Sequence, residues 1–372
     1  MKNKLPKAVI YGLALLLLQY LYSCKKSDTL SPINPPQRQP VTVPVYTKVQ
    51  FSGTSALSAA RQNLVAGAAG NKILFAGGFN GPSFFSTVDI FDVPTGTWTS
   101  AMLNGARENL SAASAGSKIA FAGGYSGDSY SSNVDIYDAT SNTWSQGQLS
   151  VARQNLAAAG AGNKILFAGG FNPSANAADV DIYDVLAGTW TTSQLSVPRA
   201  MLAAAAAGNK IVFAGGTNTR TGTIYATVDI YDVTTGVWST ATLSEARYGL
   251  SAASAGTKIV FAGGSNAAGN SSAVDIYDIS TNRWTTATLS EARYGLSAAG
   301  GGTKILFAGG YSNSLSSTVD IYDITTNSWT SGQLSEARAG LAGACAGNKI
   351  LFGGGYLSSD FSKTVDVFTL SN

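Results

Sequence analysis

An all-β ring of seven four-stranded blades, the last completed by a strand from the N-terminal side, is the fold this sequence predicts. Three observations carry that expectation. First, one unit recurs seven times, led by Arg61, Arg107, Arg153, Arg199, Arg247, Arg293 and Arg338 at spacings of 46, 46, 46, 48, 46 and 45 residues. Second, every full unit holds four short runs with the β-branched and aromatic content, and the turn boundaries, of strands. Third, the last unit lacks its fourth run, and a matching run stands ahead of the first unit. Repeats in the forties of residues with four strands apiece are the pattern of a β-propeller.

The elements of a unit follow in a constant order. Strand a comes after the arginine through small residues, as in Leu250-Ser251-Ala252-Ala253. A Gly-Thr, Gly-Ser or Gly-Asn turn leads to strand b, Lys258-Ile259-Val260-Phe261, which closes on Gly263-Gly264. Strand c is Val274-Asp275-Ile276-Tyr277, and strand d surrounds Trp284. All six tryptophans (Trp98, Trp144, Trp190, Trp238, Trp284 and Trp329) occupy that one slot. A propeller narrows toward its axis, so the innermost strand needs Ala, Gly and Ser. Tyrosine and tryptophan further out supply the area that neighbouring blades bury against each other. The segment from Phe51 to Arg61 matches the one from Trp329 to Arg338 with one extra residue, and Phe51 takes the tryptophan slot. That strand should complete the seventh blade, leaving no free edge where the ring closes.

The succession of Gly-Gly, then Tyr-Asp, then Trp resembles the kelch repeat, and the resemblance extends over residues 46–372. The Asp-box repeat of sialidases fits less well, because Asp92 stands six residues before Trp98 and the glycine pair belongs to the kelch pattern. The resemblance implies a kelch-type, seven-bladed propeller.

Residues 1–24 are read separately. Lys2, Lys4 and Lys7 precede an apolar run from Ala8 to Leu21, too short and too soon broken for a membrane span. Leu21-Tyr22-Ser23-Cys24 then resembles the lipobox of bacterial lipoproteins, which implies a cleaved signal peptide and a lipidated Cys24. Residues 25–45 carry Pro32, Pro35, Pro36, Pro40 and Pro44 among mostly polar residues and read as an extended tether. Lys25 follows the cysteine, and the absence of aspartate there implies, by the same resemblance, the outer membrane of a Gram-negative bacterium, facing periplasm or surface. Cleavage removes three lysines and leaves acidic and basic residues equal in number. No global positive field remains to draw nucleic acid.

The sequence contains no histidine, which excludes Ser-His-Asp and Cys-His catalysis and histidine-ligated metals. Copper oxidases of the galactose oxidase type, which are kelch propellers, use such ligands. No phosphate-binding loop and no calcium loop is present, so no cofactor is expected. Cys345 stands where other units have Ser114, Ser254 or Gly300 and reads as a small buried thiol. Asp89 and Asp92 are an odd number of residues apart and face opposite sides of strand c, which excludes a catalytic carboxylate pair there.

What remains is a binding face. Strand direction puts the d-to-a and b-to-c connections of every blade on one side. The seven leading arginines stand at the d-to-a connections. One placement makes them a ring around the channel mouth that grips carboxylates, as the kelch resemblance implies for domains that bind acidic peptides. The other pairs each with a strand-c aspartate of its own or the next blade, and the equal numbers of the two favour it. Glu245, Glu291 and Glu336 would in either case blunt a positive mouth. Tyr248 and Tyr294, directly after their arginines, join the seven as candidate ligand-binding residues. The partner expected is a glycan, peptide or protein, an acidic one if the arginines are free, recognised by a scaffold and not by an enzyme. The competing reading is an enzyme similar to the kelch-type N-acetylneuraminate epimerases.

Overall fold

The structure is a computed structural model that describes residues 46–372. The expected signal peptide, Cys24 and tether lie outside the described residues. Seven four-stranded antiparallel sheets follow one another. In blade 1 strands a to d are Val65–Ala69, Lys72–Ala76, Thr87–Asp92 and Thr97–Met102. In blade 5 they are Ser251–Ala255, Lys258–Ala262, Ala273–Asp278 and Arg283–Thr288, each within a residue or so of its expected place. Strand a of every blade touches strand a of both neighbours, and that of blade 7, Ala342–Ala346, touches that of blade 1. The ring is closed.

Closure uses the expected N-terminal strand. Lys48–Ala56 pairs antiparallel with Thr364–Ser371 as the outermost strand of blade 7. Phe51 stands opposite Phe368, their rings 5.7 Å apart, as Trp329 stands opposite Tyr322 in blade 6. The ladder passes from Phe51 to Gly53, so Ser52 is bulged out. The extra residue seen in the sequence is thus absorbed in a β-bulge without moving the aromatic from its slot.

The cores lie between blades. Ile73, Leu74, Phe75 and Ala76 of strand b are fully buried, and one cluster joins Val134, Ile136 and Leu149 of blade 2 to Ile165, Phe167 and Tyr183 of blade 3. Each tryptophan fastens its blade to the one before it. The Trp98 ring lies 5.0 Å from Phe91, and its indole N–H donates to Ser55 Oγ of blade 7 at 2.8 Å. Trp238 repeats that bond to Ser193 of blade 3 at 2.9 Å.

The Gly-Gly pair is set by two constraints. Gly77 and Gly78 have φ of 68° and 109°. A Cβ on Gly77 would also stand 2.6 Å from the carbonyl oxygen of Arg107 in the next blade. No other residue meets both conditions. The second aspartate of strand c serves the opposite face: Asp92 accepts from Lys72 at 2.5 Å and caps its turn at Thr95. Blade 7 has no such aspartate, and Lys349 donates instead to Thr369 Oγ1 at 2.7 Å.

Candidate functional site: the face of the d-to-a and b-to-c connections

The seven leading arginines take the paired placement. Arg61 is fully buried, and its Nη2 donates to Asp89 at 2.6 Å. Its Nε donates to the Gly77 carbonyl at 2.8 Å, its Nη1 to that of Ala59 at 3.0 Å, and Nη2 also to that of Phe75. The second oxygen of Asp89 accepts the backbone N–H of Ser58 at 3.1 Å, tying the d-to-a connection to strand c. The same pair recurs as Arg107 with Asp135, Arg153 with Asp181, Arg199 with Asp229, Arg247 with Asp275, Arg293 with Asp320 and Arg338 with Asp366, all at 2.6 or 2.7 Å. No leading arginine is more than 1% exposed. Burial lowers the pKa of Arg61, Arg199 and Arg247, while the charge and proximity of each aspartate oppose the shift.

The ring of free guanidinium groups is therefore corrected. The arginines encircle the axis as expected, but inside the blades, and each answers the strand-c aspartate of its own unit. A buried cation without a partner is too costly to keep. A ligand carboxylate could reach these groups only by displacing an aspartate that also holds a loop.

Tyr248 and Tyr294 stand on the rim. Tyr294 is 39% exposed and Tyr248 is partly buried. The backbone of Tyr248 bridges to Ser265, and that of Tyr294 to Tyr311, whose ring lies 5.8 Å away. Burial raises the Tyr356 phenol, with neighbouring Tyr294 and Tyr311 adding to the effect. Tyr294, Tyr311 and Tyr356 form one cluster over blades 6 and 7, while Tyr248 belongs to blade 5.

Three features of this face are absent from the sequence reading. The first is a belt of backbone hydrogen bonds around the channel mouth. Asn63 donates to Gly340, Asn109 to Asn63, Asn155 to Asn109, Met201 to Asn155, Gly249 to Met201 and Gly340 to Gly295, at 2.9–3.2 Å. Each belt residue has φ between 52° and 66°, which suits Asn and Gly and strains Met201. The signal was present, since the second residue after each leading arginine is Asn or Gly in six units of seven.

The second feature is a collar of b-to-c connections that lean on one another at five junctions. Phe361 of blade 7 packs on Gly81 of blade 1, and Phe84 of blade 1 on Gly127 of blade 2. Rings of Phe79, Phe84, Tyr125, Tyr130 and Phe171 then run through blades 1 to 3 at successive separations of 4.7, 6.1, 5.1 and 6.1 Å. Asn176 of blade 3 donates to Asn218 of blade 4 at 2.9 Å, and Asn270 of blade 5 to the Ser312 carbonyl of blade 6 at 3.0 Å. Most of these aromatics are thus loop anchors. Clefts open in the collar between blades 1 and 2, about 670 Å³, and between blades 4 and 5, about 430 Å³.

The third feature is the sign of the charge. With the leading arginines neutralised, the connections of this face carry Glu108, Asp128, Glu245, Glu291, Glu336 and Asp360 against Arg220 and Lys363. The channel below is narrow and bland, a space of about 250 Å³ walled by strand-a Ala, Gly and Ser with Cys345. Cys345 is partly buried on that wall, not fully buried as expected, and desolvation pushes its thiol up to about 12. Among the described residues no cluster of Cys, Asp and Glu is placed to hold a metal ion.

Fold and face together define a closed β-propeller with its variable loops gathered on one side. The model of the KLHDC2/KLHL20/DRC7 Kelch-repeats domain matches residues 42–201 and again 201–372, so the chain belongs to the kelch-repeat family. Kelch propellers are typically protein-interaction scaffolds. A comparison with curated proteins finds no match.

Proposed function

We propose that this protein is an envelope-anchored docking scaffold that holds a peptide or protein partner on the face of its d-to-a and b-to-c connections. The observation that carries this reading is the division of labour in the repeat. Arg, Lys, Asp and Trp are spent on holding blades together, and variation is concentrated in the loops of one face. That face keeps the exposed ring of Tyr294, two clefts in the collar and an excess of carboxylates over cations. Its acidic balance argues against the acidic partner expected from a free arginine ring. It argues equally against the acidic sugar of an epimerase.

Anchoring through Cys24 is part of the proposal. The described chain starts at the opposite face: Lys48 pairs with Ser371 there, and the Tyr46 carbonyl accepts from Thr303 Oγ1 in an a-to-b turn at 3.1 Å. A tether from a membrane that arrives at this point supports presentation of the loop face away from the bilayer. Two experiments test the two halves. Cys24→Ala should move the protein from the membrane fraction to the soluble fraction, and unchanged fractionation would refute the anchor. Tyr248→Ala combined with Tyr294→Ala should abolish partner binding, while Leu186→Ser with Val237→Ser on the other face should leave it intact. The reverse outcome would refute the docking face.

A further inference from the structure

The cleft between blades 4 and 5 differs from the equivalent positions of blades 6 and 7 in how its carboxylate is partnered. Three d-to-a connections carry a glutamate two residues before the leading arginine: Glu245, Glu291 and Glu336. In blade 6 Arg293 Nη1 donates to Glu291 at 2.8 Å, and in blade 7 Arg338 Nη1 reaches Glu336 at 3.5 Å. In blade 5 Arg247 Nη1 turns instead to the Ala273 carbonyl at 2.5 Å, while its Nη2 is held by Asp275. Glu245 keeps only a serine donor, Ser271. Three equivalent glutamates therefore have three equivalent serines, and one alone has no hydrogen bond from its arginine. Burial would raise the Glu291 carboxyl, but bonds from Ser316 and Arg293 carry it below its ordinary value, as befits a carboxylate already matched.

The surroundings of Glu245 specify what would match it. Ile224, Ala246, Ala267 and Ala268 supply apolar walls, and Asn266 is a further polar group on the lining. One wall is a two-residue hairpin, Ser265–Asn266 with Gly269–Asn270, which blade 5 alone forms. The other belongs to the longest repeat unit and includes Ile224. A carboxylate among methyl groups favours a cation on an alkyl stem, whose methylenes cover the walls while its charge meets the acid. A volume of about 430 Å³ is in the range of ligand-sized clefts, so it accommodates the flanking backbone too. Acids elsewhere on the same face, Glu108 and Asp128 of blade 2 and Asp360 of blade 7, add long-range attraction for a basic segment.

We infer that the blade 4–5 cleft binds a lysine or arginine side chain presented by a partner protein, with Glu245 as its counter-ion. This rests on the docking-face reading and adds the chemistry of the partner. The test uses the purified full chain in detergent and a fluorescent peptide with one lysine between alanines, followed by anisotropy and by the methyl resonance of Ile224. Its glutamate and acetyl-lysine counterparts and free spermidine are run beside it. Expected are binding of the lysine peptide with a shift at Ile224, and no binding of the two counterparts. Glu245→Gln should weaken binding roughly 30-fold or more, and Glu291→Gln should leave it unchanged. Equal effects of the two substitutions, no binding of the lysine peptide, or binding of spermidine alone would each overturn the inference. A partner held equally by wild type and Glu245→Gln, yet lost with Tyr248→Ala and Tyr294→Ala, would overturn the inference and leave the docking face standing.

Discussion

Removing Asp89 exposes the energetics on which the whole repeat depends. Its carboxylate accepts from Arg61 Nη2 at 2.6 Å and from the Ser58 backbone at 3.1 Å. Asp89→Ala leaves a fully buried guanidinium facing the carbonyls of Ala59, Phe75 and Gly77 and the Phe85 ring, with no counter-charge. Breaking a buried pair by removing one member costs about 3–5 kcal/mol, because the remaining charge is stranded away from water. With a melting entropy of about 2.1 cal/mol/K per residue, a propeller of this length should lose roughly 4–7 °C in Tm. Calorimetry of the purified protein measures this directly. Replacing both members, Arg61→Met with Asp89→Leu, should recover most of the loss, since no unmatched charge then remains. A single-variant loss under about 1 kcal/mol, the scale of an exposed ion pair, would refute the burial argument. So would a double variant as unstable as the single one.

Met201→Gly should raise stability by roughly 0.5–1 kcal/mol, because relief of the left-handed backbone strain exceeds the entropy that glycine adds to the unfolded chain; a lower midpoint in denaturant titration would contradict this. Hydrogen bonds, from Lys118 to Asp138, from the Ala187 backbone to Asp184 and from Lys210 to Asp232, hold those carboxyls at about 2; burial opposes the shift at Asp323, but the Lys304 bond brings it to the same value. A carboxyl held below its unfolded value of about 3.9 stabilises the fold above pH 4 and loses that contribution as pH falls toward 2. Asp138→Asn with Asp232→Asn should therefore flatten the fall of Tm between those pH values, and an unchanged slope would disprove the assignment. Cys345, pushed up to about 12 and set in the channel wall, should resist a thiol reagent at pH 8 in a Cys24→Ala protein until denaturant is added. Rapid labelling of the native protein would show the channel open to reagent.

The sequence makes blade number, strand order and closure legible because a propeller repeats its constraints. Small residues at the axis, a glycine pair at a crowded exit and an aromatic at each blade junction recur seven times, so noise at one position is corrected by the others. Even the bulge at Ser52 is visible as one surplus residue. The loop face is less legible for the opposite reason. Its contacts join residues from different units, as Asn176 joins Asn218 and Phe84 meets Gly127, and no local pattern announces such pairs. The destination of an arginine side chain is equally silent in a string of letters. Equal counts of Arg and Asp favour pairing, but only the structure shows that Asp89 also holds the Ser58 backbone. Glu245 is the extreme case. It has the same sequence context as Glu291, and the difference lies in which acceptor the following arginine chooses.

The central claim is that the leading arginines are sealed within the blades, leaving a loop face of acidic sign. Labelling the native protein with an arginine-selective dicarbonyl, followed by peptide mass spectrometry, tests it most directly. Exposed Arg220 and Arg283 should be modified, while Arg61, Arg107, Arg153, Arg199, Arg247, Arg293 and Arg338 remain untouched until the protein is unfolded. Modification of Arg247 or Arg293 in the folded protein, at a rate comparable to Arg220, would contradict the account.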